Sequence, residues 1–130
     1  MFSHYNNDED LYPAHLMERA KDPQYLGRMT DPTAGAYVKG PCGDAMEFYL
    51  VIRDNVIHEI KFYTEECIAT RVCGSVTAQL ARGKSVREAL GISPKQVMEI
   101  FDDLPETHSH CSILAVSTLH RAIADYLLKP

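Results

Sequence analysis

The sequence predicts an α+β fold: a small antiparallel three-stranded sheet with helices packed on one face. Two observations lead there. Between residues 46 and 62 apolar residues alternate as in half-buried strands. From residue 67 onward they recur every three or four positions, as on one face of a helix. Strands first and helices after, with no strand–helix alternation, argue for segregated layers. The 130 residues, 45% of them hydrophobic, are enough for one buried core.

Each element has a local reason. Residues 1–12 are polar and acidic and read as a flexible lead, leaving 13–130 as a single domain. Pro13 starts a short helix over Ala14–Lys21, which Asp22-Pro23 stops. Pro23, Gly27, Pro32 and Gly35 make the next stretch irregular, and Ala36–Lys39 reads as a short edge strand. Met46, Phe48, Leu50 and Ile52 share one strand face; Val56, His58, Ile60 and Phe62 share another. A three-residue loop at Arg53-Asp54-Asn55 would pair Ile52 with Val56 and align the two apolar rows, with Asn55 at positive φ. Ile68, Val72, Val76 and Leu80 form a stripe on the following helix, which Gly83 ends. Ser85 and Glu88 form a capping box, and Ser93-Pro94 opens another short helix bearing Val97, Ile100 and Phe101. Leu104-Pro105 breaks the chain. The last helix runs from about Ser109–Cys111 to Leu128, burying Leu114, Ala115, Thr118, Leu119, Ala122, Ile123 and Tyr126.

Charge and composition narrow the function. Thirteen basic residues stand against 18 acidic ones, so there is no basic field for nucleic acid. No apolar run reaches the roughly 20 residues of a membrane span. Neither a secretory signal nor an Arg-rich transit peptide is visible at the N-terminus, so a cytoplasmic protein with reduced thiols is expected. The four cysteines then carry the functional question. Cys42, Cys67 and Cys111 lie at element junctions, where sites are built. Cys67 and Cys111 each fall near a helix N-terminus, whose dipole favours thiolate. Cys73 lies six positions after Cys67, about 240° round the helix, and reads as a small buried hydrophobe. The spacings match no zinc-finger pattern. On residues alone, a shared Cys42/Cys67/Cys111 site and scattered structural thiols both remain open. His58 reads as a core or edge histidine; His4, His15 and His120 lack site context, and His108 stays open. Lys39, Arg71, Arg82 and Lys84 fit a docking surface or ordinary solvated surface equally well.

Five motifs in order carry a resemblance. Pro41-Cys42-Gly43-Asp44, Phe62-Tyr-Thr-Glu-Glu-Cys67, Gly83-Lys84-Ser85 with Glu88-Ala89-Leu90, His110-Cys111-Ser112 and Ala122-Ile123-Ala124-Asp125-Tyr126 together resemble the IscU/NifU N-terminal-type iron–sulfur cluster assembly scaffolds. Asp22-Pro23 with Gly27 is similar to the family's N-terminal motif. The resemblance spans about Leu16 to Tyr126 and implies a SufE/NifU-like fold. It implies that Cys42, Cys67 and Cys111 are cluster ligands and that Asp44 controls cluster lability. It makes His110 an alternative ligand to iron or zinc, and Cys111 the persulfide acceptor. The implied protein is a scaffold and not an enzyme. It takes sulfur from a cysteine desulfurase of the IscS/NifS type, binds iron, builds a labile [2Fe-2S] cluster, as a monomer or a cluster-bridged homodimer, and passes it to apo-proteins. The same ligands can also take up zinc in the as-isolated protein. Two alternatives stand beside it: a zinc-bound, persulfide-accepting sulfurtransferase of the SufU kind, and a zinc-stabilised interaction module. Glu66 and Ile68 replace the family's glycines around Cys67. Only Leu104-Pro105 remains of its chaperone motif, so the resemblance carries no Hsp70-type partner to this chain.

Overall fold

The computed structural model describes residues 14–21, 24–41, 43–100 and 109–129. The expectations for the N-terminal lead, Asp22-Pro23, Phe101, Leu104-Pro105 and His108 lie outside these residues. The elements run α1 (Ala14–Lys21), β1 (Ala34–Lys39), β2 (Ala45–Arg53), β3 (Val56–Tyr63), α2 (Ile68–Ala81), α3 (Val86–Ala89), α4 (Pro94–Ile100) and α5 (Ser109–Leu128). The three strands form one antiparallel sheet in the order β1-β2-β3. Along β2, Met46, Phe48, Leu50 and Ile52 are buried while Glu47, Tyr49 and Val51 are only partly covered. That alternation gives the sheet one core face, on which α2 and α5 pack. On its other face Arg28 pairs with both carboxylate oxygens of Glu47 at 3.0 Å and lies 3.9 Å over the Tyr63 ring.

The β2–β3 hairpin corrects the three-residue loop. Arg53 pairs with Val56 across a two-residue turn, Asp54-Asn55, with φ of 53° and 61°. Two consecutive positive φ values mark the primed turn whose twist matches that of the strands. The difficulty such a turn raises, an apolar row facing the wrong neighbours, is removed by a bulge. Ile52 pairs with Ile57, but Val51 pairs with Glu59, so His58 is the extra residue. Ile57 therefore turns inward with Ile60 and Phe62, Val56 is only partly buried, and His58 is exposed and not a core histidine.

The helix α2 is buried far beyond its predicted stripe. Ala69, Thr70, Val72, Cys73, Gly74, Ser75, Val76, Thr77, Ala78 and Ala81 are all buried, because α1, β3, α4 and α5 surround it. Its many small residues permit this close wrapping. Gly83 ends it at φ +82°. The Ser85–Glu88 capping box forms at 3.0 Å in both directions. Ser93 and Gln96 make a second box at the start of α4. Val97 is buried as expected, whereas Ile100 is exposed because it ends its helix. On α5 the predicted face is buried from Leu114 to Ile123, Tyr126 is partly covered, and Cys111, Ser112 and Val116 join it.

Candidate functional site

Three chain segments meet at the end of the sheet where α2 and α5 begin. The first is the β1–β2 connection. Gly40 N–H donates to Asp44 O at 2.7 Å and Gly43 N–H to Gly40 O at 3.0 Å, with Gly43 at φ +92°. That conformation suits glycine, and it sets Asp44 at the foot of β2. The second is the link into α2. Thr64 Oγ1 donates to Ala45 O at 2.7 Å, and Glu66 N–H donates back to Thr64 Oγ1 at 3.2 Å. This ties the residues before Cys67 to the strand that follows Asp44. Cys67 is the N-cap of α2 and is exposed. The third is the first turn of α5, where Ser112 Oγ donates to Ser109 O at 2.7 Å and Cys111 is fully buried.

Four of the five predicted site residues converge there; the fifth, Cys42, lies outside the described residues. Asp44 Oδ2 is 3.8 Å from His110 Nε2, which is 3.6 Å from Cys111 Sγ. One ligating atom from each of these three residues falls within 4.8 Å of the others, close enough to share one metal ion. Cys67 joins through Thr70, whose Oγ1 is 3.4 Å from Cys67 Sγ, 3.4 Å from Cys111 Sγ and 3.5 Å from Asp44 Oδ2. Thr70 is a site residue the sequence reading missed. Its place three positions past Cys67, one helical turn on, is the one hint in the sequence, and it makes no motif by itself. Cys73 is not among the converging ligand atoms. Beside the group lies a mainly apolar cavity of about 290 Å³, lined by Val38, Pro41, Asp44, His110, Ile113 and Leu114, among others.

The two thiols titrate as a pair. The Cys111 thiol, the Thr70 hydroxyl and the N–H groups of Thr70 and Ala69 hold Cys67 well below the usual thiol range, at about 5, despite partial burial. No full cap hydrogen bond closes on Cys67, yet those N–H dipoles still favour its anion. Cys111 is driven upward, first by the neighbouring Cys67 and then by burial. The expected help of a helix N-terminus is therefore realised at Cys67 and not at Cys111, which is buried beside the thiolate. Burial pushes Cys73 up to about 12. The donor set of thiolate, imidazole and carboxylate suits zinc and iron alike.

Comparison with known proteins identifies the family. Residues 11–130 match the NifU-like N terminal domain. The chain is 37% identical over 120 residues to iron-sulfur cluster assembly scaffold protein IscU 1 of Archaeoglobus fulgidus, covering 92% of this chain and 78% of that protein. It is 32% identical over 123 residues to the Haemophilus influenzae scaffold protein IscU, covering 91% and 97%. A crystal structure of a nitrogen-fixing NifU-like protein (N-terminal) from Brucella abortus shares the fold, with a TM-score of 0.74 at 20% identity, over 94% of this chain and 98% of that one. The match over nearly the whole chain, to the family and to its IscU members, places this chain in the NifU-like N terminal domain family.

Proposed function

We propose that the chain is an iron–sulfur cluster assembly scaffold that accepts sulfur and iron, builds a labile [2Fe-2S] cluster and hands it on. The observation that carries this is that Asp44, His110 and Cys111 bring ligating atoms within 4.8 Å of one another, with Cys67 joined to Asp44 and Cys111 through the Thr70 hydroxyl. Relatives named as scaffold proteins support it. In this reading Cys42 completes a set of three thiolates. A mixed set of three sulfurs with a carboxylate or imidazole holds a cluster less firmly than four cysteines, and a scaffold must release what it builds. Cys111 is the acceptor that the resemblance implies; fully buried and driven upward as a thiol, it must be uncovered and give up its proton before it takes sulfur from a cysteine desulfurase. Its thiolate attacks the outer sulfur of the donor persulfide, forming one S–S bond while the donor's S–S bond breaks and the donor cysteine leaves as thiolate. His110 Nε2, 3.6 Å from Cys111 Sγ, is placed to take the thiol proton. The same ligands accept zinc when iron is absent.

Anaerobic reconstitution with iron and sulfide tests the reading. The chain is expected to develop cluster absorbance with equal iron and acid-labile sulfide, and Cys67→Ser is expected to lose it. Zinc binding without any cluster in the wild type would refute the proposal. A second expectation concerns Asp44, whose Oδ2 lies beside His110. Replacing it with alanine removes a hard, weakly held ligand and its negative charge, so Asp44→Ala should slow cluster loss to a chelator. Equal or faster loss would show that the carboxylate does not promote release.

A further inference from the structure

We propose that Thr70 is a positioning residue, whose single hydroxyl holds the sulfurs of Cys67 and Cys111 at a common spacing for a shared metal ion. This rests on the scaffold reading only in taking the two cysteines as ligands of the same cargo. Thr70 is fully buried, and its Oγ1 lies 3.4 Å from each sulfur and 3.5 Å from Asp44 Oδ2. The other buried helix threonines among the described residues spend their protons differently. Thr77 donates to Cys73 O and Thr118 to Leu114 O, both at 2.7 Å, the backbone bond a helical threonine ordinarily makes. Thr70 turns its hydroxyl away from such a bond and onto three side chains of the site.

The chemistry of the donor follows. A hydroxyl has one proton and two lone pairs. In the metal-free protein it accepts from one thiol while donating to the other sulfur or to Asp44. Once metal binds, both sulfurs are thiolates with no proton to give. The Thr70 proton then goes to a metal-bound sulfur or to Asp44, bonded to a ligand in either case. Partners of this outer kind orient ligands and tune their donation to the metal. The branched side chain, fully buried within its helix, has few rotamers to lose.

The test uses three variants and two readouts. Zinc affinity of the metal-free protein is measured by competition with a chromophoric chelator. Thr70→Val keeps the shape and removes the hydroxyl, and should weaken zinc binding about tenfold or more, the usual cost of losing such a partner. Thr70→Ser keeps the hydroxyl and should restore most of the affinity. In reconstituted protein, Thr70→Val should also shift the cluster's reduction potential to more negative values, because a hydrogen bond to ligand sulfur is lost; Thr70→Ser should not. Should Thr70→Val fail to fold by circular dichroism, Thr70→Ala against Thr70→Ser gives the same comparison. A folded hydroxyl-free variant with wild-type zinc affinity and potential overturns the proposal. A wild type that binds zinc but builds no cluster refutes the scaffold reading and leaves the zinc comparison to decide on Thr70.

Discussion

Phe62→Ala is expected to cost about 3–5 kcal/mol of folding stability, Gly74→Ala about 1–3 kcal/mol, and the double variant less than their sum. Phe62 is buried near the C-terminal end of β3, with its ring centroid 6.1 Å from that of Phe48. It fits because α2 presents no side chain there: a Cβ on Gly74 would stand 2.5 Å from the Phe62 ring. A glycine-to-alanine change inside a helix ordinarily stabilises by about 1 kcal/mol. Here the steric term wins, since both the ring and the helix backbone are fixed in the core. Removing the ring first gives the alanine room, which is why the two losses should not add. Urea unfolding of the two single variants and the double variant measures all three values. Strict additivity would show that the ring and the Gly74 position do not compete for space.

The second large effect is chemical. On metal-free protein at pH 7, iodoacetamide should label Cys67 while leaving Cys73 untouched until the chain unfolds. With Cys67 at about 5 and Cys73 at about 12, one is almost wholly thiolate and the other almost wholly thiol. The sign of the pH dependence follows. Cys67 labelling should be flat from pH 8 down to about 6, then fall tenfold per unit below about 5 as the sulfur takes up its proton. An unperturbed thiol would still be gaining tenfold per unit between pH 6 and 8. The plateau itself will be modest, because a low-pKa thiolate is a weaker nucleophile. Cys111→Ala should move the midpoint upward, as the Cys111 thiol is the largest influence holding Cys67 down. A wild-type profile that rises through pH 8–9 would contradict the coupled pair. Peptide mass mapping of the labelled sites distinguishes these outcomes.

The layers of the fold were legible because periodicity reports burial. The alternation in β2 and the face of α5 appear in the structure much as the apolar pattern predicts. What the pattern does not carry is a change of register. His58 breaks the alternation of β3 by one residue, and a bulge needs no distinctive residue. The wrapping of α2 was hidden for a different reason. Beyond its apolar stripe it carries Ala69, Thr70, Gly74, Ser75 and Ala78, small residues that read as neutral in sequence and become core only when neighbours close over them. Thr70 is the functional counterpart of this blind spot. A lone threonine one turn above a cysteine has no motif, and only the arrival of Cys111 from α5, 41 positions away, gives its hydroxyl a role. Junction placement and the family resemblance both point to Cys67 and Cys111, whereas Asp44 and His110 come from the resemblance, beside Cys42 and Cys111 in its motifs.

The β3 border of the sheet is already engaged. Along β3, Tyr25 O accepts from Phe62 N–H, Gly27 N–H donates to Phe62 O, Ile57 N–H donates to Lys84 O and Gly83 N–H donates to Ile57 O. On β1 the engagement is confined to the start of the strand, where Gly35 N–H donates to Asp125 Oδ2, and just before it Lys129 Nζ donates to Thr33 O. A foreign strand therefore finds few free backbone groups to seize along β3. Extending the sheet past that border with a borrowed peptide is disfavoured, and so is edge-to-edge sticking of concentrated chains through β3. A partner that meets that border must read its side chains, and the loops and helix tips around Cys67 are where side chains carry reactive sulfur.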